Sequence, residues 1–279
     1  MSVALNEVGR TGELELVFAE KRGKTILEDI YYEVPFKVTK LSYPPASHLA
    51  QLILMTPTAG LFGGDQLSIN IHVKSGAAVR IVPQGATKVH PSLGRSAVQN
   101  VKITVDPEGE LHLWNDPLIP FKDARLRQHW TIQLYKKSRF YFWDAFSSGR
   151  IHHGEQWEFE ELFNETRVYV DQTLAYLDRY QIKPQQQHVD HLLGMSYYQY
   201  LATLLLFDDK LVEDHTHPFQ KLLSSSITPV AAGVDIPYPS LLAGRILTEN
   251  GACLRKLQER AAELLFDLLL PAPCPAFRK

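Results

Sequence analysis

Cysteine is nearly absent: Cys253 and Cys274, both close to the C-terminus, are the only two in 279 residues. Two such residues make no disulfide scaffold, and without a CxxC pair they offer neither a zinc knuckle nor a redox motif. Excess charge is lacking too, since the formal net charge is −2. Lys and Arg are spread along the chain rather than gathered, so nucleic acid and anionic membrane surfaces are poor partners. No apolar run approaches the roughly 18 residues of a membrane span, and MSVALNEVGRTGELEL shows no basic segment leading into an apolar one. The expectation is a soluble, cytoplasmic protein. Catalytic signatures are missing as well. There is no GxSxG elbow, no HExxH pair, no phosphate-loop or dinucleotide glycine pattern, and no HxE with a downstream CxxC.

What is present is a period of two. Leu14, Leu16 and Phe18 alternate with polar residues, as do Leu67, Ile69, Ile71 and Val73, then Val101, Ile103 and Val105, then Trp130, Ile132 and Leu134. Alternation of this kind marks half-buried strands. Turn signals (SYPP, LFGGD, KSGA, PSLG, DPEG, SSG, HHGE) separate the runs at about ten-residue spacing. The reading is a mainly β fold, a sandwich, barrel or stacked arrangement of many short strands, with no βαβ alternation to build a nucleotide-binding sheet. Late in the chain the period lengthens. A short helix is expected over 213–224, with Phe219, Leu222 and Leu223 on one face. A longer one is expected over 248–270, with Thr248 as N-cap and Leu254, Leu257, Ala261, Leu264, Leu265 and Leu268 at helical spacing. VAAGVDI and LLAGRILT read as strands between them. With no linker and no internal repeat, residues 1–279 read as one domain, β-rich to about 200.

Three segments carry unusual chemistry. TPTAGLFGGDQL, Thr56 to Leu67, sets Gly60, Gly63 and Gly64 before Asp65. Glycines allow positive φ or close backbone approach, and Asp65 suits a bulged turn whose amides it caps. QGATKVH, Gln84 to His90, breaks an apolar strand with small and polar residues, leaving Thr87 and Lys88 for a polar cavity, a partner surface or an ordinary edge. FWDAFSSGRIHHGEQWEF places Asp144 after strand aromatics, where an acid needs a partner or an opening. Arg150 and Glu155 follow it, as an ion pair or as part of a metal or partner site. His188 with His191, and His215 with His217, read as solvated surface rather than ligands. MSYYQYLATLLLF reads as a candidate exposed apolar patch.

The succession TPTAGLFGGDQL, QGATKVHPS, LWNDPLIPFKDA and WDAFSSGRIHHGEQWEF resembles the urease accessory proteins called UreD or UreH, motif by motif and in the same order. The stretch AAGVDIPYPSLLAGRILT followed by a helix is also similar to that family's end, so the resemblance runs from GELELVF to the last helix. The chain departs from the family pattern at Thr58-Ala59-Gly60, at Pro45 and at Asn115-Asp116, where Asp116 is a carboxylate one methylene shorter than the usual Glu.

The resemblance implies a stacked, roughly helical arrangement of strands with helices appended, and a scaffold rather than an enzyme. It implies a complex with the accessory protein UreF and the GTPase UreG that docks on apo-urease. Nickel would be the transported ion, with no cofactor tightly held, passing through an internal tunnel. On this reading Asp65, Asp116, Asp144, Glu155 and Asp178 are spaced carboxylates of a transient nickel path, and Gly63, Gly64, Thr87, Lys88 and Arg150 are its neighbours. Isolated carboxylates suit a conduit, because thiolates or clustered imidazoles would hold nickel too tightly to release it. The alternative of another class is a carboxylate-dependent hydrolase or carbohydrate-binding β-protein using Asp144 and Glu155, which needs two carboxylates about 5–10 Å apart across a cleft.

Overall fold

The alternating runs of the sequence become rungs of a solenoid. The computed structural model describes residues 9–45, 47–186, 197–224, 230–270 and 274. In chain order the strands are β1 (Thr11–Lys21), β2 (Lys24–Tyr32), β3 (Lys37–Val38), β4 (Ala50–Met55), β5 (Gln66–Val73), β6 (Ala78–Pro83), β7 (Lys88–Val89), β8 (Ala97–Val105) and β9 (Glu110–Trp114). They continue as β10 (Ile119–Pro120), β11 (Arg125–Leu134), β12 (Arg139–Ser147), β13 (Glu161–Val170), β14 (Thr173–Ile182), β15 (Tyr200–Phe207), β16 (Val230–Tyr238) and β17 (Leu241–Thr248). Two helices, α1 (Thr216–Ser224) and α2 (Gly251–Leu269), come late.

From β4 to β13 the chain alternates between two large sheets, with β7 and β10 paired as a separate two-stranded sheet. A seven-stranded sheet runs β14-β13-β11-β8-β5-β1-β2 and an eight-stranded sheet runs β16-β17-β15-β12-β9-β6-β4-β3. Within the coils, neighbours are parallel (β5 to β8 to β11 to β13 on one side, β4 to β6 to β9 to β12 on the other). Parallel pairing thus arises without crossover helices, because each coil passes through the opposite sheet before returning. Hairpins finish the first sheet, where β2 pairs antiparallel with β1 and β14 with β13. The repeat is one of backbone only, which is why no repeat shows in the sequence.

Register stacks the alternating residues. Leu16, Ile71, Ile103, Ile132 and Val168 form one inward ladder, and Phe18, Val73, Val105, Leu134 and Val170 the next. All are buried, and they face Phe140, Phe142, Leu205 and Phe207 of the opposite sheet in one continuous core. Full burial of each such side chain stabilises by about 1.5–3 kcal/mol.

The outer faces differ. That of the eight-stranded sheet is covered by both helices, with Trp143, Leu204 and Leu206 packed among Phe219, Leu257, Leu265 and Phe266. This layer corrects the exposed-patch reading of MSYYQYLATLLLF. Its residues 200–207 form β15, paired on both edges by β12 and β17, with Leu201 to Phe207 buried; Tyr197 alone of its described large hydrophobics is exposed. The N-cap of α2 is Asn250, whose side-chain oxygen accepts the Cys253 N–H at 2.7 Å, rather than Thr248. Thr248 is still held in the strand ladder opposite Tyr200 and Val230. No helix among the described residues is long and apolar enough to cross a membrane.

Candidate functional site

The unusual sequence segments prove to be one place. They form the same corner of successive coils, stacked on each other. Leu61 N–H donates to the Lys88 carbonyl at 2.8 Å and the His90 N–H returns to the Leu61 carbonyl at 2.8 Å. One coil on, Ile119 N–H donates to the Thr87 carbonyl at 2.8 Å and Phe121 N–H to the Val89 carbonyl at 2.9 Å. The glycines permit that closeness. At Gly60, φ is 133°, and a Cβ there would sit 2.3 Å from the Lys88 carbonyl oxygen. At Gly63 it would meet the Ser92 hydroxyl at 2.6 Å. Asp65 then fastens the corner to the start of β1: one carboxylate oxygen accepts the Arg10 N–H at 2.9 Å and the other the Phe62 N–H at 2.8 Å.

This corner opens inward. A mouth of about 460 Å³ is lined by Thr56, Thr58, Gly60, Thr87 and Lys88, among others. An inner chamber of about 90 Å³ shares Phe36, Thr56, Gln84, Gly85, Thr87 and Gln99 with the mouth. From there it reaches Asn115, Asp116, Gln128, Trp130 and Asp144 inside the coil. Asp144 follows Phe140 and Phe142 on the inward side of β12, and its Oδ1 accepts a hydrogen bond from Asn115 Nδ2 at 3.2 Å. It lines the chamber beside the buried aromatics of β12. Burial therefore pushes its carboxyl up to about 6, against the Asn115 amide, the Ala145 N–H and the Arg245 charge, all of which favour the ionised form.

Amides line the opposite wall. The ladder that is apolar at Ile103 and Ile132 becomes Gln99, Gln128 and Asn164 at this end. Gln128 Nε2 donates to Gln99 Oε1 at 2.7 Å, Asn164 Nδ2 to Gln128 Oε1 at 3.5 Å, and Thr166 Oγ1 to Asn164 Oδ1 at 3.2 Å. Across the eight-stranded sheet the register runs Asp144, Thr203, Arg245. Arg245 then bridges to the other sheet, with Nη2 2.5 Å from Asp178 Oδ2. Tyr176 and Tyr180 flank this pair: burial pushes the Tyr176 hydroxyl up to about 12, and the Arg245 guanidinium carbon lies 5.7 Å from the Tyr180 ring centre.

Other residues singled out from the sequence fall elsewhere. Glu155 is ion-paired with Arg150, with Nε to Oε2 at 2.8 Å, and also accepts the Lys122 N–H at 3.2 Å. That pairing with Arg150 holds the Glu155 carboxyl below its usual range. Arg150 lies over the Phe121 ring, 4.3 Å from its centre, and Lys88 is exposed at the mouth. Neither cavity wall includes Glu155, so Asp144 and Glu155 do not face each other across a cleft. His215 Nδ1 accepts the Val212 N–H at 3.1 Å; His188 and His191 lie outside the described residues. Among the described residues, no group of three or more His, Cys, Asp or Glu could hold a metal ion.

Sequence reasoning missed Gln99, Asn115, Gln128, Trp130 and Arg245. The signal was available in part: counting back by twos from Val101, Ile103 and Val105 reaches Gln99, and from Trp130, Ile132 and Leu134 it reaches Gln128. A second unforeseen cluster lies between β9 and α2. Glu110, fully buried, meets His112 Nε2 at 2.7 Å, His48 Nε2 at 2.9 Å and Arg139 Nη2 at 3.1 Å. Burial alone would push that carboxyl up, but the hydrogen bonds from the two histidines outweigh it and hold it well below the usual range.

A family model described as UreD urease accessory protein matches residues 10–279. Among known relatives, a urease accessory protein UreD of Halalkalibacterium halodurans is 35% identical over 192 residues, covering 67% of this chain and 70% of that protein. A urease accessory protein UreD of Cupriavidus metallidurans is 29% identical over 271 residues, covering 95% of this chain and 92% of that protein. A urease accessory protein UreH of Helicobacter hepaticus is 27% identical over 205 residues, covering 74% and 80%.

Proposed function

The chain belongs to the UreD family of urease accessory proteins, and from that premise we propose that it is a scaffold for nickel insertion into apo-urease. In this reading the whole chain acts as one non-catalytic unit in the cytoplasm, assembled with a UreF-like protein and, through it, a UreG-like GTPase. Nickel is the cargo, passed through the interior of the coils.

The observation that carries the reading is the joined mouth and chamber, which lead from the glycine corner to Asp144. A conduit must attract a dication and then let it go. One carboxylate pushed up to about 6 answers both demands. An arriving dication favours the ionised form and releases any proton; Asp116 lines the same chamber, but among the described residues no group of three or more His, Cys, Asp or Glu completes a tight ligand set. Thr87 serves the entrance, and Asp116 shares the chamber with Asp144. Asp178 stands at the far end, its charge shared with Arg245. Lys88 lines the mouth, while Gly63, Gly64 and Asp65 hold the stacked corner beside it and Arg150 and Glu155 lie outside both cavities. Asp65 has both oxygens engaged by backbone amides and Glu155 is engaged by Arg150, so neither is as available to the ion as Asp144.

The test is to assemble wild-type and Asp144→Asn chains with the two partners and apo-urease, match the amount of complex, and measure nickel gained by urease. Asn keeps the shape and removes the charge. Incorporation per complex should fall severalfold; equal incorporation at equal assembly would sink the proposal.

A further inference from the structure

Trp130 lines the chamber together with Asp144. Its ring is fixed against Phe142, edge to face, with centres 5.2 Å apart, and it is only 6% exposed. Its Nε1–H has no acceptor among the described residues. A buried donor of this kind calls for a partner, and the indole N–H is a donor only, so it cannot ligate a cation. Its positive end repels a bare one.

An occupant of the chamber that meets both groups must do two opposite things. It must present an oxygen to Trp130, and it must present either hydrogen or positive charge to Asp144. Water does the first, and a cation carrying its water does both. The volume of about 90 Å³ compares with roughly 30 Å³ for each water in the liquid, so a few waters fit beside the carboxylate. The amides of Gln99, Gln128 and Asn115 can donate or accept and so tolerate either orientation of those waters. A full inner-sphere cage finds no support here: Asp116 and Asp144 are the carboxylates of the chamber lining, and no group of three or more His, Cys, Asp or Glu converges among the described residues.

We infer that Trp130 is a positioning residue for the cargo's hydration water, and that the dication crosses the chamber hydrated, meeting Asp144 through water. The inference rests on the nickel-path reading above and adds to it the form in which the ion travels. It follows that this station sorts ions by charge and hydrated size. Softness of the ligand field, which ranks divalent metals when side chains bind them directly, has little part in it.

The experiment follows the time course of nickel transfer in the complete complex, with Ni²⁺ supplied through the GTPase and amounts matched by assembled complex. Trp130→Phe keeps an aromatic ring against Phe142 and removes the donor. Replacement of Trp130 by benzothienylalanine keeps the bicyclic shape as well and serves if the Phe variant folds poorly. The initial rate should fall roughly three- to tenfold, the scale of one lost hydrogen bond, while the final nickel per complex stays at the wild-type level. A donor that serves only the fold would instead lower the melting temperature with the rate per complex unchanged, and that result overturns the inference. Asp144→Asn runs in parallel. If it slows transfer and neither Trp130 replacement does, the hydrated-ion inference fails and the path survives. If Asp144→Asn also leaves the rate unchanged, the path itself fails and the inference with it.

Discussion

The two ends of the coil interior are built by the same strands, yet one is dry and the other wet. At one end β5, β8, β11 and β13 contribute Val73, Val105, Leu134 and Val170, stacked and buried. Six residues earlier along each strand the same inward positions hold Leu67, Gln99, Gln128 and Asn164. Backbone geometry, register and sheet partners hardly change between the ends. The difference lies in the side chains alone, and it shows how a solenoid hosts a polar path: one rung is given up to amides and an acid while the remaining rungs hold the coils together. Stability is therefore concentrated at the dry end, and the proposed transport belongs to the wet end.

The most drastic way to break that division is to make the dry end wet. Ile132→Asp puts an unpaired carboxyl into a fully buried ladder, and should destabilise by more than about 4 kcal/mol. Urea titration would measure it, and a change under about 1 kcal/mol would mean the ladder is not the structural core.

Asp144 tests the wet end with the opposite sign. Its folded-state pKa is raised, so its protonated form is favoured in the fold, and stability falls as pH rises from the unfolded value near 3.8 through about 6. Asp144→Asn should thus stabilise the chain by about 1–3 kcal/mol above pH 7. The gain should vanish below pH 4, the ordinary carboxylate range. Thermal melts at two pH values would show it. A loss of stability at pH 7.5 would place the ionised carboxylate among the structural groups, beside Glu110.

Asp65→Asn leaves one oxygen to accept a backbone N–H and turns an amide group toward the other. A cost of about 1–2 kcal/mol is expected, with nickel transfer per assembled complex unchanged. Slower transfer at equal assembly would return Asp65 to the path. The smallest effect sharpens the comparison most. Gln128→Leu extends the dry end by one rung and removes the bonds to Gln99 and Asn164, at about 1 kcal/mol. Nickel transfer should nevertheless slow, because the amide wall opposite Asp144 is interrupted.

Much of the fold was legible because alternation is a local signal. Leu67 to Val73 and Val101 to Val105 announce strands without reference to anything distant, and Leu254 to Leu265 announce a helix. Whether those strands close into coils depends on contacts between remote segments, such as Gly60 against Lys88, which no local pattern contains. The site divides in the same way. Asp144 stood out because an acid after Phe142 and Trp143 is costly unless it faces an opening. Asp65 and Glu155 stood out equally, and only their hydrogen-bond partners, Arg10, Phe62 and Arg150, separate them from Asp144. Gln99 and Gln128 looked like ordinary polar residues at strand starts, since inwardness is set by register rather than by composition. Arg245 was hidden for the same reason. Its place opposite Thr203, with Asp178 in reach, is a product of two sheets meeting.

The wet rung runs across the coils, not along the strands, and this fixes how its length is measured. From β8, with Gln99, through β11, with Gln128, to β13, with Asn164, there are two steps between neighbouring strands. At about 4.8 Å per step the rung spans roughly 10 Å. Reach and chemistry are therefore independent variables in this architecture. Gaining or losing one coil would move the far end by a fixed increment of about 4.8 Å while leaving the Asp144 station as it is. On the proposed path, the distance between whatever supplies the ion and whatever receives it is thus quantised, a gauge cut in units of one strand spacing.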